Sequence, residues 1–452
     1  MNQQLSNWTR QLGVIGLGLF ALSSVFQTAP GHIGLALCLP SALSAAWDKR
    51  RQRMDTVTAL ALLIALWLLV RYALQVGWGV GDPALLKVRN VFVDWLFVPL
   101  FAVLALLPCA DPLQRIRRLW LLSMLGFSLG IIGFLYRTGI GVLWSGERLG
   151  FHLERPLGIG LYAGCFLIAL VTTWRQWWFA PPPWRWPARV AGIAFTALFA
   201  QVLIATQNRS TYLGAAIVIG VAGLSFAIRL VRGGAKGISA RTIAVAGVAV
   251  ALIAAVVATN FNAVATRLQA EHTIVSGVAA EGLAQAPTSS ITIRLRLWQY
   301  ALERFPDAPL IGQGFGEVGG VIRRDLVPRL APDATSDGNL VYTQDHLHNS
   351  YLQTLWSQGL LGVMLWGALI VLLVRDATRA AKDNPACRAL MPAMWGMLIF
   401  IAVWALTDYR LSHPDMRFFT LLSLLSLRLL GLGATDGRRR PDAEPGAAGS
   451  LA

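Results

Sequence analysis

Apolar runs of about twenty residues recur along nearly the whole chain, and they constrain its fold more than any other feature. A helix needs roughly 17–25 mostly apolar residues to cross the ~30 Å hydrocarbon core of a bilayer. Of the 452 residues, 55% are hydrophobic and only 14% are charged, which is unlike a soluble domain. The sequence therefore predicts an all-α, polytopic membrane protein.

About twelve such runs are present, and each is predicted to be a transmembrane helix. Their approximate bounds are 11–28, 32–47, 55–76, 89–108, 118–136, 158–174, 189–207, 210–228, 242–262, 350–374, 389–408 and 416–432. The predicted organisation is helices 1–9 within residues 1–262, one large loop over 263–349, helices 10–12 within 350–432, and a short disordered tail over 433–452.

The formal charge of +16 follows from topology rather than from a nucleic-acid surface. More than half of the 39 lysines and arginines fall in segments that share one side when twelve spans alternate. Because cytoplasmic loops are rich in Lys and Arg, both termini are predicted to be cytoplasmic. The expected surroundings are membrane lipids, and no nucleic-acid partner is predicted.

The loop over 263–349 faces outward in this topology, and a loop of this length is usually functional. Its segment "TIRLRLWQYALERF" has helical periodicity, and "PDAPLIGQGFGEVGG" is a turn region. The formal match "GFGEVG" lacks the strand and crossover helix of a dinucleotide site, and no Cys/His cluster has metal spacing. No cofactor and no metal are therefore predicted.

His348 and Asn349 stand directly before the apolar run that begins at residue 350. A helix N-terminus disfavours an imidazolium, and a neutral imidazole near pH 7 is what a general base requires. The alternative is an interfacial histidine that only caps the helix end. His346, two residues away, cannot share a helical face with His348.

Two arginines are candidate anion ligands. Arg209 lies in a very short outward turn between two spans, and Arg294 shares a helical face with Trp298, whereas Arg296 lies on another face. The alternatives are a snorkelling or ion-paired turn residue and a structural salt bridge. Guanidinium groups bind phosphate oxygens bidentately, so arginines beside a neutral histidine suggest a lipid-linked pyrophosphate substrate.

Three segments together resemble the O-antigen ligase and polymerase superfamily. "HLHNSYLQTLWSQGLLG" is similar to its His-x-His-Asn element, "TIRLRLWQYALERFPDAPLIGQGFG" to its Arg-x-x-x-Trp segment with Pro-Leu-x-Gly-x-Gly, and "TQNRSTYLG" to its arginine-bearing turn. The order of the segments, the predicted spans and the single large loop agree with that family.

The resemblance implies a metal-independent, inverting glycosyltransferase at the periplasmic face of a bacterial inner membrane. The donor would be undecaprenyl-pyrophosphate-linked O-antigen, and for a ligase the acceptor would be lipid A-core. His348 matches the catalytic histidine, and Arg209 and Arg294 match the pyrophosphate-binding arginines. His346, Asn349 and Arg296, with the outward-facing Arg148 and Arg155, are expected to support the site.

Three alternatives remain open at this stage. An O-antigen polymerase and a protein O-oligosaccharyltransferase belong to the same superfamily, and the short tail argues against the latter. A lipid flippase or transporter would need charged or broken helices in the membrane, for which Arg71 and Asp94 are the main sequence candidates.

Overall fold

The structure is a computed structural model. It describes residues 3–25, 28–49, 54–77, 82–151, 156–233, 261, 265, 269, 272–273, 276–279, 282–283, 289–316, 318, 346–413 and 416–437. Within these ranges every regular element is a helix.

Fifteen α-helices of the described ranges are used below. They are α1 (Gln3–Ser23), α2 (Thr28–Lys49), α3 (Thr56–Gly77), α4 (Asp82–Phe97), α5 (Leu100–Leu104), α6 (Pro112–Thr138), α7 (Pro156–Thr172), α8 (Trp174–Trp178), α9 (Arg185–Ala205), α10 (Arg209–Gly233), α11 (Ser290–Glu303), α12 (Ser350–Asp383), α13 (Pro385–Arg388), α14 (Met391–Ala405) and α15 (Arg417–Gly437).

Several of the described helices are long and apolar enough to cross a membrane, as an all-α membrane protein requires. The seven candidate spans are Ala29–Trp47, Thr56–Gly77, Pro112–Thr138, Arg185–Ala205, Arg209–Ile228, Ser350–Asp383 and Pro385–Ala405. Gly158–Thr172 is a shorter apolar helix. The predicted span 242–262 lies outside the described residues except for its residue 261. The count of about twelve spans therefore stays a prediction, as does the disordered tail, whose residues 438–452 are also outside.

The first two helices pack closely because glycines face each other. A Cβ atom on Gly16 would lie 2.5 Å from the carbonyl oxygen of Gly34, and one on Gly34 would lie 2.6 Å from the backbone nitrogen of Phe20. In a bilayer, helices associate through such close backbone approach rather than through the hydrophobic effect. The α1–α2 pair is thus a helical hairpin.

Asp94, a sequence candidate for a charge within the membrane, is paired inside the bundle. Its carboxylate accepts a hydrogen bond from Arg417 at the start of α15, and the same guanidinium lies 2.8 Å from His32 Nε2. The guanidinium also lies over the Phe97 ring, 4.5 Å from its centroid. Because these contacts join α2, α4 and α15, the pair fixes helix packing.

The predicted span 350–374 is not one uninterrupted helix. It continues to Asp383, and it is broken at Gly359, whose φ of 66° and ψ of −168° are non-helical. The sequence prediction missed this break, although the polar pair Ser357 and Gln358 directly precedes Gly359. The consequence is a separate short helical segment, 350–358, that carries the His348 end of α12.

The glycine-rich loop 309–316 fills the break in α12. Backbone nitrogens of Leu360 and Gln313 donate to the carbonyl oxygens of Pro309 (2.9 Å) and Trp356 (2.6 Å). A Cβ atom on Gly312 would lie 2.5 Å from the Trp356 carbonyl oxygen, so only glycine allows this approach. The turn region predicted from the sequence is therefore a docking segment for the broken helix.

Helix α3 holds the loop from its other side. Arg71 is buried and donates to the carbonyl oxygens of Ile311 (2.8 Å) and Gly312 (2.9 Å). Gln75, one turn later, exchanges two hydrogen bonds with the backbone of Phe315, at 2.8 and 2.9 Å. Arg71 is thus a structural clamp in the described structure.

Replacing Gly359 by alanine should destabilise the fold, whereas the same change at Gly367 should not. A Cβ atom on Gly359 would collide with the Leu310 backbone at a positive φ, and Gly367, on the same helix, has open space around it. We expect Gly359→Ala to lower the free energy of unfolding by about 2 kcal/mol or more, and Gly367→Ala to change it by less than about 1 kcal/mol. Thermal unfolding in detergent measures both; equal melting temperatures for the two variants would contradict the docked-loop interpretation.

Candidate functional site

His348 lies just before α12, and the residues around it, 346–349, are fixed on several sides. Asn349 is the N-cap, and its side chain accepts hydrogen bonds from the backbone nitrogens of Tyr351 and Leu352, both at 3.0 Å. His348 itself has a φ of 50°, which is uncommon for a residue with a side chain. The capping role considered for His348 therefore belongs to Asn349.

Helix α11 packs directly against these residues. Trp298 Nε1 donates to the carbonyl oxygen of Leu347 at 2.8 Å, and the Leu347 nitrogen donates to Gln353 Oε1 at 3.0 Å. Leu347 also belongs to a small buried apolar cluster with Ile293 and Leu297 of α11. The helical face that carries Trp298 thus points at residues 346–349, and it brings the half-buried Arg294 to the same region.

Arg296 points elsewhere, as the predicted helical spacing requires. It is buried, and its Nε and Nη2 atoms donate to the carbonyl oxygen of Leu283 at 3.2 and 3.0 Å. This contact ties α11 to the preceding part of the loop. Of the two arginines, the structure thus brings Arg294, not Arg296, close to His348.

Arg209 is the first residue of α10 and follows the buried Asn208. The next residue, Ser210, accepts a hydrogen bond from the hydroxyl of Thr407, in the segment after α14. The turn between α9 and α10 therefore touches the segment that contains Asp408. This contact places Arg209 beside the same part of the molecule as His348, on a separate element.

Asp408 is the main site residue that the sequence prediction missed. It is fully buried, and its Oδ1 atom lies 3.7 Å from His348 Nδ1. Its carbonyl oxygen accepts a hydrogen bond from Ser350 Oγ at 2.8 Å, so the Asp408 segment is fastened to the start of α12. The separation of 3.7 Å is longer than a hydrogen bond, but such contacts often tighten only when substrate binds.

Arg410 is a second buried residue that was missed. Its Nε atom lies 3.5 Å from Asp408 Oδ2, and only 2% of the residue is exposed. A signal for both residues was present in "TDYRLSHPD", because it sets charges in a short turn between two apolar runs. The same reasoning identified Arg209. The predicted span 389–408, however, included residue 408, so Asp408 was assigned to a transmembrane helix rather than to the turn.

The imidazoles of the site are held neutral. Burial lowers the pKa of His348, and the charges of Arg294 and Arg410 lower it further, while Asp408 opposes them. Burial, together with neighbouring His348, lowers the pKa of His346 to about 3. The two rings lie 4.1 Å apart between centroids, and the His348 backbone nitrogen donates to His346 Nδ1 at 3.2 Å.

The carboxyl group of Asp408 is held ionised. Burial alone raises its pKa, but the contact with His348 and the charge of Arg410 outweigh burial, and the pKa falls to about 2. A carboxylate facing His348 Nδ1 favours the tautomer that carries its proton there. The Nε2 atom of such a tautomer can accept a proton.

His346, His348 and Asp408 also form a group that could hold a metal ion. Their ligand atoms all lie within 4.8 Å of one another. Imidazole and carboxylate are ordinary ligands for divalent transition metals. The expectation that no metal is used therefore stays a prediction, and it has to be tested with a chelator.

Of the two arginines predicted to face outward, Arg148 lies within the described residues. Arg148 is exposed, and its Nε atom donates to the carbonyl oxygen of Thr206 at 3.3 Å, close to the Arg209 turn. Leu149 also pairs with Ala205 through the backbone at 3.0 Å. Arg155 lies outside the described residues.

The half-buried histidines of the site should make the protein less stable in mild acid. A histidine whose pKa is depressed in the folded state binds fewer protons there than it does in the unfolded chain. Protonation therefore favours the unfolded chain. The stability present above pH 6.5 is lost as the pH falls toward the folded pKa. For His346 the loss should approach about 2 kcal/mol at pH 5. Asp408, whose pKa is lowered from 3.8, contributes only at lower pH.

The measurement is unfolding in detergent at pH 7.5 and pH 5.0. We expect His346→Gln to lose less stability than the wild type on acidification. His272→Gln, at an exposed position, should behave as the wild type. An acid-induced loss of the same size in all three proteins would show that His346 is not held neutral by the fold.

The described site can be compared with known families. Residues 194–367 match the family model described as O-antigen ligase. The match includes Arg209, Arg294, His346, His348 and Asn349, and it supports the superfamily without separating a ligase from a polymerase. No curated protein matches the chain in a sequence comparison.

Proposed function

We propose that this chain, with its O-antigen ligase family domain, transfers O-antigen polysaccharide from undecaprenyl pyrophosphate to a sugar hydroxyl of lipid A-core. The observation that carries the proposal is the pair formed by half-buried His348 and buried Asp408, with Arg294 beside it. A neutral imidazole oriented by a carboxylate is a general base, and a nearby guanidinium is a pyrophosphate ligand.

The proposed reaction is a direct displacement. The acceptor hydroxyl gives its proton to His348 Nε2, and its oxygen forms a bond to the anomeric carbon of the donor glycan. The bond between that carbon and the pyrophosphate oxygen breaks, so the configuration inverts. Arg209 and Arg294 neutralise the charge that develops on the departing pyrophosphate.

Each remaining residue has a proposed supporting role. Asp408 orients His348 and stabilises the imidazolium that forms during the reaction, and Arg410 keeps Asp408 ionised. Asn349 positions His348 through the helix cap, and Trp298 positions Arg294 through its bond to Leu347. The proposed site faces the periplasm of a bacterial inner membrane.

The first test uses purified protein, undecaprenyl-pyrophosphate-linked O-antigen and isolated lipid A-core, with and without EDTA. We expect ladder-type lipopolysaccharide from the wild type in both conditions, and a loss of at least roughly 100-fold for His348→Ala, since that is the usual contribution of a general base. His272→Ala is the matched control.

Three outcomes would overturn parts of the proposal. Lengthening of the lipid-linked glycan in place of the ladder would favour a polymerase. Loss of activity with EDTA and its recovery with a divalent metal would assign His346, His348 and Asp408 to a metal. Full activity of His348→Ala would remove the proposed base.

Asp408→Asn should change the pH dependence as well as the rate. Because Asp408 raises the pKa of His348, removing its charge should move the acidic limb of the kcat profile to lower pH. We expect kcat to fall by roughly 100-fold or more, with a small change in KM. The control is Asp307→Asn, at an exposed ion pair with Arg304. A lowered protein yield with an unshifted pH profile would indicate a purely structural role.

A further inference from the structure

A cavity of about 560 Å³ lies between helices α6, α7, α9, α14 and α15, away from the candidate site. Its walls are mainly apolar and include Met124, Leu170, Phe195, Met397 and Leu427. Pockets that hold small-molecule ligands have volumes of roughly 300–1,000 Å³. The cavity is therefore large enough for a ligand.

The cavity lies at the end of the bundle opposite His348. Along α9, its lining residue Ala191 is about 20 Å from Ala205, and along α6, Arg117 is about 30 Å from Thr138, at 1.5 Å per residue. Ala205 precedes Arg209 by four residues along the chain. A helix that crosses the ~30 Å hydrocarbon core between Thr138 and Arg117 would set Arg117 at the other membrane surface.

The rim of the cavity has the chemistry of a headgroup region. Arg117 is exposed and lines it, beside Gln176 of α8. Trp177 and Trp184 also line it, and tryptophans concentrate where lipid headgroups meet the acyl chains. Arg189 adds a further positive charge close by, where it lies over the Trp178 ring, 4.8 Å from its centroid.

We propose that this cavity binds an anionic phospholipid of the leaflet opposite the candidate site, with an acyl chain between the helices and the phosphate at Arg117. The apolar walls exclude a polar solute, and the cationic rim favours an anionic headgroup over a zwitterionic one. The pyrophosphate of the donor lipid would lie beside His348, at the far end of the bundle from Arg117, so a phosphate at Arg117 belongs to a different lipid. The lipid site does not depend on that reaction.

Two pairs of variants test the site. Ala191→Trp places an indole in the cavity from an exposed lining position, whereas Ile193→Trp, on the same helix and about 200° around it, adds the same group toward the membrane. Arg117→Ala removes the rim charge, and Arg118→Ala removes an equally exposed charge one position along α6.

The measurement is native mass spectrometry of the purified full-length protein titrated with phosphatidylglycerol and, separately, with phosphatidylethanolamine. We expect the wild type to prefer phosphatidylglycerol for one binding event. Ala191→Trp should abolish that event and Ile193→Trp should keep it. Arg117→Ala should weaken phosphatidylglycerol binding roughly fivefold, and Arg118→Ala should leave it unchanged.

Any of three results would overturn the proposal. Equal lipid retention by Ala191→Trp and Ile193→Trp would place the bound lipid elsewhere. Equal affinity for the two phospholipids would remove the role of Arg117. Copurification of a polyprenyl phosphate that Ala191→Trp displaces would assign the cavity to the carrier lipid.

Discussion

Backbone groups that leave the helical pattern inside a bilayer need partners within the protein, and this constraint is strongest where α12 breaks at Gly359. The loop 309–316 supplies those partners, and Arg71 and Gln75 of α3 hold the loop in turn. The short segment that carries His348 is therefore supported from two sides. The position of the imidazole depends on a helix almost three hundred residues earlier in the chain.

The site is assembled from several elements, each contributing one kind of group. The residues just before α12 carry the imidazole, α11 carries Arg294, the first residue of α10 is Arg209, and the segment after α14 carries Asp408. Short polar contacts, such as Ser350 with the Asp408 carbonyl, join these elements pairwise. Burial favours the neutral form of both groups, so it lowers the pKa of His348, whereas the contact with His348 and the charge of Arg410 lower the pKa of Asp408 and keep its carboxylate ionised.

Much of the helical architecture could be predicted from the sequence because apolar runs of membrane length report directly on spanning helices. The separation of Arg294 from Arg296 was also accessible, since it follows from helical periodicity. The break at Gly359 was not, because a polar pair followed by glycine also occurs in continuous helices, and the cause here is a loop that docks from elsewhere in the chain. Asp408 was missed because the predicted span ended at residue 408 and included it. Its pairing with His348 is a tertiary contact, which the sequence pattern does not reveal.

The family match ends at residue 367 and begins at 194, yet several groups that complete the site lie beyond it. Asp408 follows the matched region, and Arg71 and Gln75 precede it. The matched segment is therefore not a portable module. A chimera that took only this segment from a relative would set the relative's histidine against this chain's Asp408. It would also set the relative's glycine loop against this chain's Arg71 and Gln75. Residues in α3, in the loop and after α14 should accordingly change together as relatives diverge.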